Sequence, residues 1–194
     1  MFLDWIVKGG PVMILLLGCS VLSLTIIFER CFYWIVQSRR MNLSQLDKIM
    51  SQLQNDSSHS DQYVNTKNHV IQIVCKVIQK KDQTHREILE MELDRIAMES
   101  KRFLSGLDTI ITLSPLLGIF GTVVGIIQSF HLLGSASIAD PQLVSQGIAI
   151  ALITTATGLA IAMPSLLFYN AFMSKIETHL YLIEKHVQEF FLKR

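Results

Sequence analysis

The side chains able to do chemistry in the long apolar stretches of this chain are hydroxyls. Thr112, Ser114, Thr122 and Ser129 fall in one charge-free run, and Thr154, Thr155 and Thr157 fall in another. A hydroxyl offers one donor and two lone pairs. In an apolar helix it either bonds the carbonyl three or four residues back or, set beside others on adjoining helices, lines a narrow wet path. Back-bonding is the commoner use for any single residue. What the same runs lack matters as much: neither contains Asp, Glu, Lys or Arg, and His131 stands at the edge of the first, where an interfacial role is expected. Proton relays in membranes are built on ionisable side chains, so an ion path along these helices needs a titrating group from elsewhere. His59, His69, His85, His179 and His186 have no ligand cluster around them in sequence. Cys19, Cys31 and Cys75 make neither a disulfide framework nor a C-x-x-C knuckle, and read as small apolar side chains. No nucleophile-base constellation, P-loop or H-E-x-x-H motif is present, so the expectation is a chain that is not an enzyme and has no metal or cofactor.

The elements that must position these hydroxyls follow from the charge distribution. The chain has 194 residues, 50% hydrophobic and only 17% charged, with a mean hydropathy of +0.39. The missing charge is concentrated in Gly9–Phe28, Thr109–Ala139 and Pro141–Ser174, none of which holds Asp, Glu, Lys or Arg. Each reaches the roughly 20 residues a helix needs to cross about 30 Å of hydrocarbon. A simple soluble domain is excluded. A net charge of +1 also removes the footprint of a nucleic-acid binder.

Leu16-Leu17-Gly18-Cys19 has the look of a lipoprotein cleavage signal, but Asp4 offsets Lys8 and the run stays apolar through Phe28. A retained transmembrane helix is the expected reading. It opens with Pro11 in its first turn and runs to about Val36. Phe28, Phe32, Tyr33 and Trp34 form an aromatic belt at its far end, where Arg30 of the Glu29-Arg30 pair snorkels to headgroups. With the N-terminus outside, the outer segments contain Lys8 alone, which leaves 16 of the 17 Lys and Arg inside. The positive-inside rule therefore expects N-out, C-in.

Between the first two spans, Ser51–Asn65 reads as a polar loop. Thr84-x-x-Glu87 reads as a capping box, after which Leu89, Leu93, Ile96, Phe103 and Leu107 recur at helical spacing. Nothing breaks that pattern before Gly106, so one helix of about 49 residues is expected from His85 to Leu133, some 73 Å long at 1.5 Å per residue. After span three, Ile176, Leu180, Ile183, Val187 and Phe190 step by four and three and continue that helix amphipathically. Two long extensions thus leave the membrane with apolar stripes to bury, either within the chain or in a bundle shared between subunits. Inside the membrane, Gly118, Gly121 and Gly125 on span two face the demands of close packing, as do Gly147, Ala151, Thr154, Thr155, Gly158 and Ala162 on span three. Pro115 and Pro164 are expected kinks.

The stretches from Leu113 to Phe130 (LSPLLGIFGTVVGIIQSF) and Gly147 to Asn170 (GIAIALITTATGLAIAMPSLLFYN), with Asp140-Pro between them and Phe28-Glu-Arg ending span one, resemble the MotA/TolQ/ExbB proton-channel family, most closely its ExbB and TolQ branches. The resemblance covers all three spans in order and is weak across the segment between the first two. It implies an all-α polytopic membrane protein of the bacterial inner membrane, organised as a periplasmic N-terminus (1–10), transmembrane helices at 11–36, 107–133 and 143–172, a cytoplasmic helical domain (37–106), a periplasmic loop (134–142) and a cytoplasmic C-terminal helix (173–194). It further implies a homopentameric ring around an ExbD-like or TolR-like single-span partner. An Asp on that partner carries the proton, and the proton-motive force drives motion passed to a TonB-like transducer. The family's pore threonines fall on Thr122 and Thr155, with Thr154 and Thr112 as further candidates for the ion path. Gly118, Gly121, Gly125, Gly147, Gly158, Pro115 and Pro164 match its packing positions. Where many members have Glu in Gly-Ile-x-Glu-Ala-Leu, this chain has Ile150, which cannot titrate. A TolQ-like, gliding or flagellar stator using H+ or Na+, and a non-conducting scaffold, are the competing expectations.

Overall fold

The computed structural model describes residues 10–40, 68–79, 85–135 and 141–192. The polar segment 51–65, Thr84 of the capping box, and Asp140 lie outside them. The described residues form five helices: α1 (Gly10–Arg40), α2 (His69–Gln79), α3 (His85–Lys101), α4 (Leu104–Ser135) and α5 (Pro141–Leu192). They are all-helical, and α1, α4 and α5 are each long and apolar enough to cross a membrane. Only 33%, 22% and 33% of their most apolar windows are buried within the chain. Leu22, Phe28, Phe120, Ile127 and Leu167 are among the exposed apolar side chains, a surface that calls for lipid or neighbouring membrane protein rather than water.

The chain divides into two compact units. The first comprises Met1–Glu29 and Phe103–Asn170. Its core is built by Val12, Met13, Leu16 and Cys19 of α1 with Ile110 of α4 and Ile161 of α5. Pro11 lies in the first turn of α1 as expected. The helix assignment runs unbroken through Pro115 and Pro164. Beside each proline a serine donates to the carbonyl four residues back, Ser114 to Ile110 and Ser165 to Ile161.

The second unit comprises Arg30–Arg102 and Ala171–Arg194. The α5 stripe of Ile183, Val187 and Phe190 is buried against Val70, Ile71, Ile73 and Val74 of α2 and Ile88, Leu89 and Ile96 of α3. Between the two burial routes open to that stripe, the fold uses packing within the chain. α2 adds an element to those expected from sequence. The Asn68 side chain accepts the Val70 N–H and its carbonyl accepts the Gln72 N–H, a helix N-cap. Lys76 of α2 and Arg95 of α3 both pair with Glu92.

The single helix expected from His85 to Leu133 is two. α3 ends at Lys101, and Phe103 adopts the left-handed conformation (φ 67°) before α4 begins. Its carbonyl then accepts the Leu107 N–H at 3.3 Å and starts the next helix. Phe103 is 48% exposed, whereas Leu89, Ile96 and Leu107 of the same sequence pattern are buried. The apolar period ran through the break because Leu104 and Leu107, not Phe103, carry it onward.

Arg30 also departs from expectation. It is 3% exposed rather than snorkelling. Its guanidinium donates to the Ser100 carbonyl at 2.9 Å and stands 5.0 Å from the centroid of the Tyr33 ring. That carbonyl is one of the unpaired groups at the end of α3, where a cation is favoured. The aromatic belt is likewise split: Phe28 and Phe32 face outward, each 70% exposed, and Trp34 is turned in.

Candidate functional site

The site residues sit on α4 and α5 within the first unit, along a seam where two antiparallel helices approach closely. Gly118 lies against the Thr155 backbone: a Cβ at residue 118 would fall 2.9 Å from the Thr155 Cα. One turn on, a Cβ at Gly121 would meet the Thr154 hydroxyl at 2.6 Å. Gly125 faces Ala151, Gly147 faces Ser129, and Gly158 faces the Ser114 carbonyl. Small residues of the two helices thus face one another along the seam. In lipid, where apolar burial gives helices no reason to associate, this backbone proximity supplies van der Waals and polar contacts instead.

The hydroxyls separate into two kinds. Thr109, Thr112, Ser114, Thr122, Ser129 and Thr157 bond carbonyls on their own helix. Thr155 instead donates across the seam to the Gly118 carbonyl at 2.9 Å. Thr154, 1% exposed, donates mainly to Ala151 at 2.6 Å, with a longer 3.4 Å contact to the same Gly118 oxygen. Gly118 is thus an acceptor on which two threonines of the partner helix converge.

Of the residues singled out for an ion path, Thr155 and Thr122 are each partly accessible in this chain. Thr154 is enclosed in the seam. Thr112 is exposed, bonds Thr109 on its own helix at 2.9 Å, and is ten residues from Thr122, about 15 Å along the axis. Ile150 is half-buried on α5. No cluster of three or more His, Cys, Asp or Glu able to hold a metal ion occurs among the described residues.

Sequence reasoning did not anticipate the convergence on Gly118. Its signal was present: Gly at 118 and a hydroxyl pair at 154 and 155, each on a face of small residues. Nor was the inward face of α1 foreseen. Leu16, Cys19, Ser23, Ile27, Arg30, Trp34 and Gln37 are all buried and step by three and four, a stripe hidden by its change from apolar to polar residue types.

Comparison with known proteins gives a consistent result. The description MotA/TolQ/ExbB proton channel family matches residues 43–185. The chain is 34% identical over 178 residues to an ExbB-like biopolymer transport protein of Synechocystis sp., covering 86% of this chain and 82% of that protein. It is 28% identical over 180 residues to the biopolymer transport protein ExbB of Salmonella typhimurium, covering 87% and 74%. Over 64 residues it is 48% identical to the Tol-Pal system protein TolQ of Haemophilus influenzae, covering 33% and 28%.

Proposed function

Given that the chain belongs to the MotA/TolQ/ExbB proton channel family, a family of multi-pass membrane proteins that work in complexes, we propose that it is the ion-conducting motor subunit of an ExbB-type system. In this reading several copies surround a single-span ExbD-like partner whose Asp carries the proton, and the proton-motive force energises a TonB-like transducer. The observation that carries it is the pairing of a hydroxyl seam with a missing proton carrier. Thr155 and Thr122 lie on two membrane helices whose charge-free runs hold no carboxylate and no Lys or Arg. Such helices can solvate and orient a passing ion, while the titrating group must come from another chain. Ile150 fits this division, since it withholds a ring carboxylate from the path.

The test is proton flux into proteoliposomes containing this chain co-expressed with its single-span partner. Thr155→Val keeps the side-chain shape and removes the hydroxyl. Flux is expected to fall at least about tenfold, the scale of one lost polar stabilisation of about 1.4 kcal/mol on a barrier, while the complex still co-purifies. Flux equal to wild type removes Thr155 from the path and favours a scaffold. A TolQ-type role is the second reading, supported by the 48% identity to TolQ over 64 residues. Which outer-envelope protein co-purifies with the complex distinguishes the two.

A further inference from the structure

Within the second unit, the end of α1 and the middle of α5 enclose a cavity of about 360 Å³ lined by Trp34, Gln37, Ser174, Lys175, Thr178 and His179. Two of its polar groups, the Trp34 indole and the Lys175 ammonium, can only donate. The Trp34 indole Nε1–H is buried with no hydrogen-bond partner among the described residues, on a side chain only 8% exposed. An indole can only donate, so this N–H is open to an acceptor that a ligand brings. Lys175 contributes an ammonium. The ion pairs among the described residues engage Lys76, Arg86, Arg95 and Lys185, and leave Lys175 out. The Thr178 hydroxyl is committed to the Ser174 backbone carbonyl at 2.8 Å. Among the described residues, no carboxylate lines the space.

The depth of the cavity is fixed by sequence. Ser174 is the last residue of the charge-free run on α5 and Lys175 is the first charge after it, while Trp34 lies six residues past Phe28, where the run on α1 ends. Lysine stems and indoles both settle at the boundary between hydrocarbon and water. A donor-rich, cationic cavity at that depth meets phosphate oxygens.

We propose that this cavity binds the phosphodiester of an anionic phospholipid headgroup, with the Trp34 indole N–H and the Lys175 ammonium as its two main donors. The acyl chains then lie along the exposed apolar side chains of the spans, and the cavity selects lipids whose net charge is negative. Free phosphate offers the same oxygens, so the lipid source is distinguished by experiment.

The test is native mass spectrometry of the full chain with its co-purifying partners, titrated with phosphatidylglycerol, phosphatidylcholine or inorganic phosphate. Wild type is expected to retain phosphatidylglycerol in preference to phosphatidylcholine. Trp34→Phe keeps an aromatic ring against His179 and removes the N–H together with the indole's second ring; it is expected to weaken phosphatidylglycerol binding at least about tenfold, the size of one lost hydrogen bond to a charged group. Lys175→Glu reverses an exposed charge without touching the core and is expected to weaken it at least about tenfold. Lys185→Glu, ten positions further along α5 and outside the cavity, is the control that leaves binding unchanged. Because Lys175 is at the surface, its variant decides the matter even if Trp34→Phe does not fold. Unchanged affinity in Lys175→Glu, equal retention of phosphatidylcholine, or full displacement of the lipid by millimolar inorganic phosphate each overturns the proposal.

Discussion

The Thr155 hydroxyl donates to the Gly118 carbonyl at 2.9 Å, one helix to the next. The same glycine has no room for a side chain, since a Cβ there would lie 2.9 Å from the Thr155 Cα. One close approach therefore serves both packing and hydrogen bonding. A Gly118→Ala substitution pushes against backbone, which cannot rotate away, and is expected to cost about 1–3 kcal/mol as overpacking does. Thermal unfolding in detergent measures it. Thr155→Val loses only the hydrogen bond, about 0.6 kcal/mol on average within membranes, so its stability falls less than that of Gly118→Ala, and Thr155→Ser restores it.

Phe103 holds the left-handed conformation between α3 and α4 with its side chain 48% exposed. The conformation costs a residue with a Cβ about 1–2 kcal/mol. Phe103→Gly is expected to raise the unfolding midpoint by relieving that cost, offset in part by the freedom glycine adds to the unfolded chain. Phe103→Ala keeps the Cβ and is expected to give no such gain. An equal effect of the two variants would show that the left-handed backbone is not what limits stability here.

Arg30 is buried and completes the end of α3 through Ser100. Replacing it with Met preserves most of the aliphatic stem and leaves that carbonyl without its charged donor. The expected loss is about 1.5–3 kcal/mol, the range for hydrogen bonds to charged groups. Arg30→Lys is expected to recover only part of it, because an ammonium lacks the planar fork that stacks on Tyr33. Hydrogen exchange at the last turn of α3 reads the effect locally.

His179 lies five residues past the charge-free run of α5, with its ring edge-to-face with Trp34 at 5.7 Å and with His69 at 5.9 Å. Its Nε2 is 3.4 Å from the Gln37 amide nitrogen. Burial, and next the charge of His69, push its pKa down from 6.5 to about 4. In the unfolded chain the imidazole gains its proton near pH 6.5, and in the folded chain only near pH 4. The unfolded state therefore binds more protons across that window, and stability falls as pH drops through it. Above pH 7 this contribution is constant. His179→Gln is expected to flatten the dependence between about pH 6.5 and 4, as followed by the unfolding midpoint against pH.

Much of this architecture was legible in the residues. The three charge-free runs mark the membrane helices because hydrocarbon admits neither unpaired charge nor unpaired backbone, and length alone then counts the crossings. The stripe from Ile176 to Phe190 announced a buried face, and four of its five residues are buried. The small residues of α4 and α5 announced a tight seam. These signals are periodic and local, so a linear reading recovers them.

The remainder depended on which groups the fold brought together. Periodicity carried the α3 helix through Phe103, because a helix break with apolar residues on both sides leaves no mark in the pattern; the backbone conformation at one residue ended it. Arg30 and Trp34 look like interfacial anchors by type and position, yet Arg30 found an unpaired carbonyl 70 positions away. The threonines and serines of these two spans are alike in sequence, and tertiary contact gave Thr155 its 2.9 Å bond to the neighbouring helix. Sequence determined that this chain lives in a membrane and which faces must be covered, since those follow from solvation. Tertiary structure decided which polar groups meet, because a hydrogen bond depends on tenths of an ångström between residues that the chain itself keeps far apart.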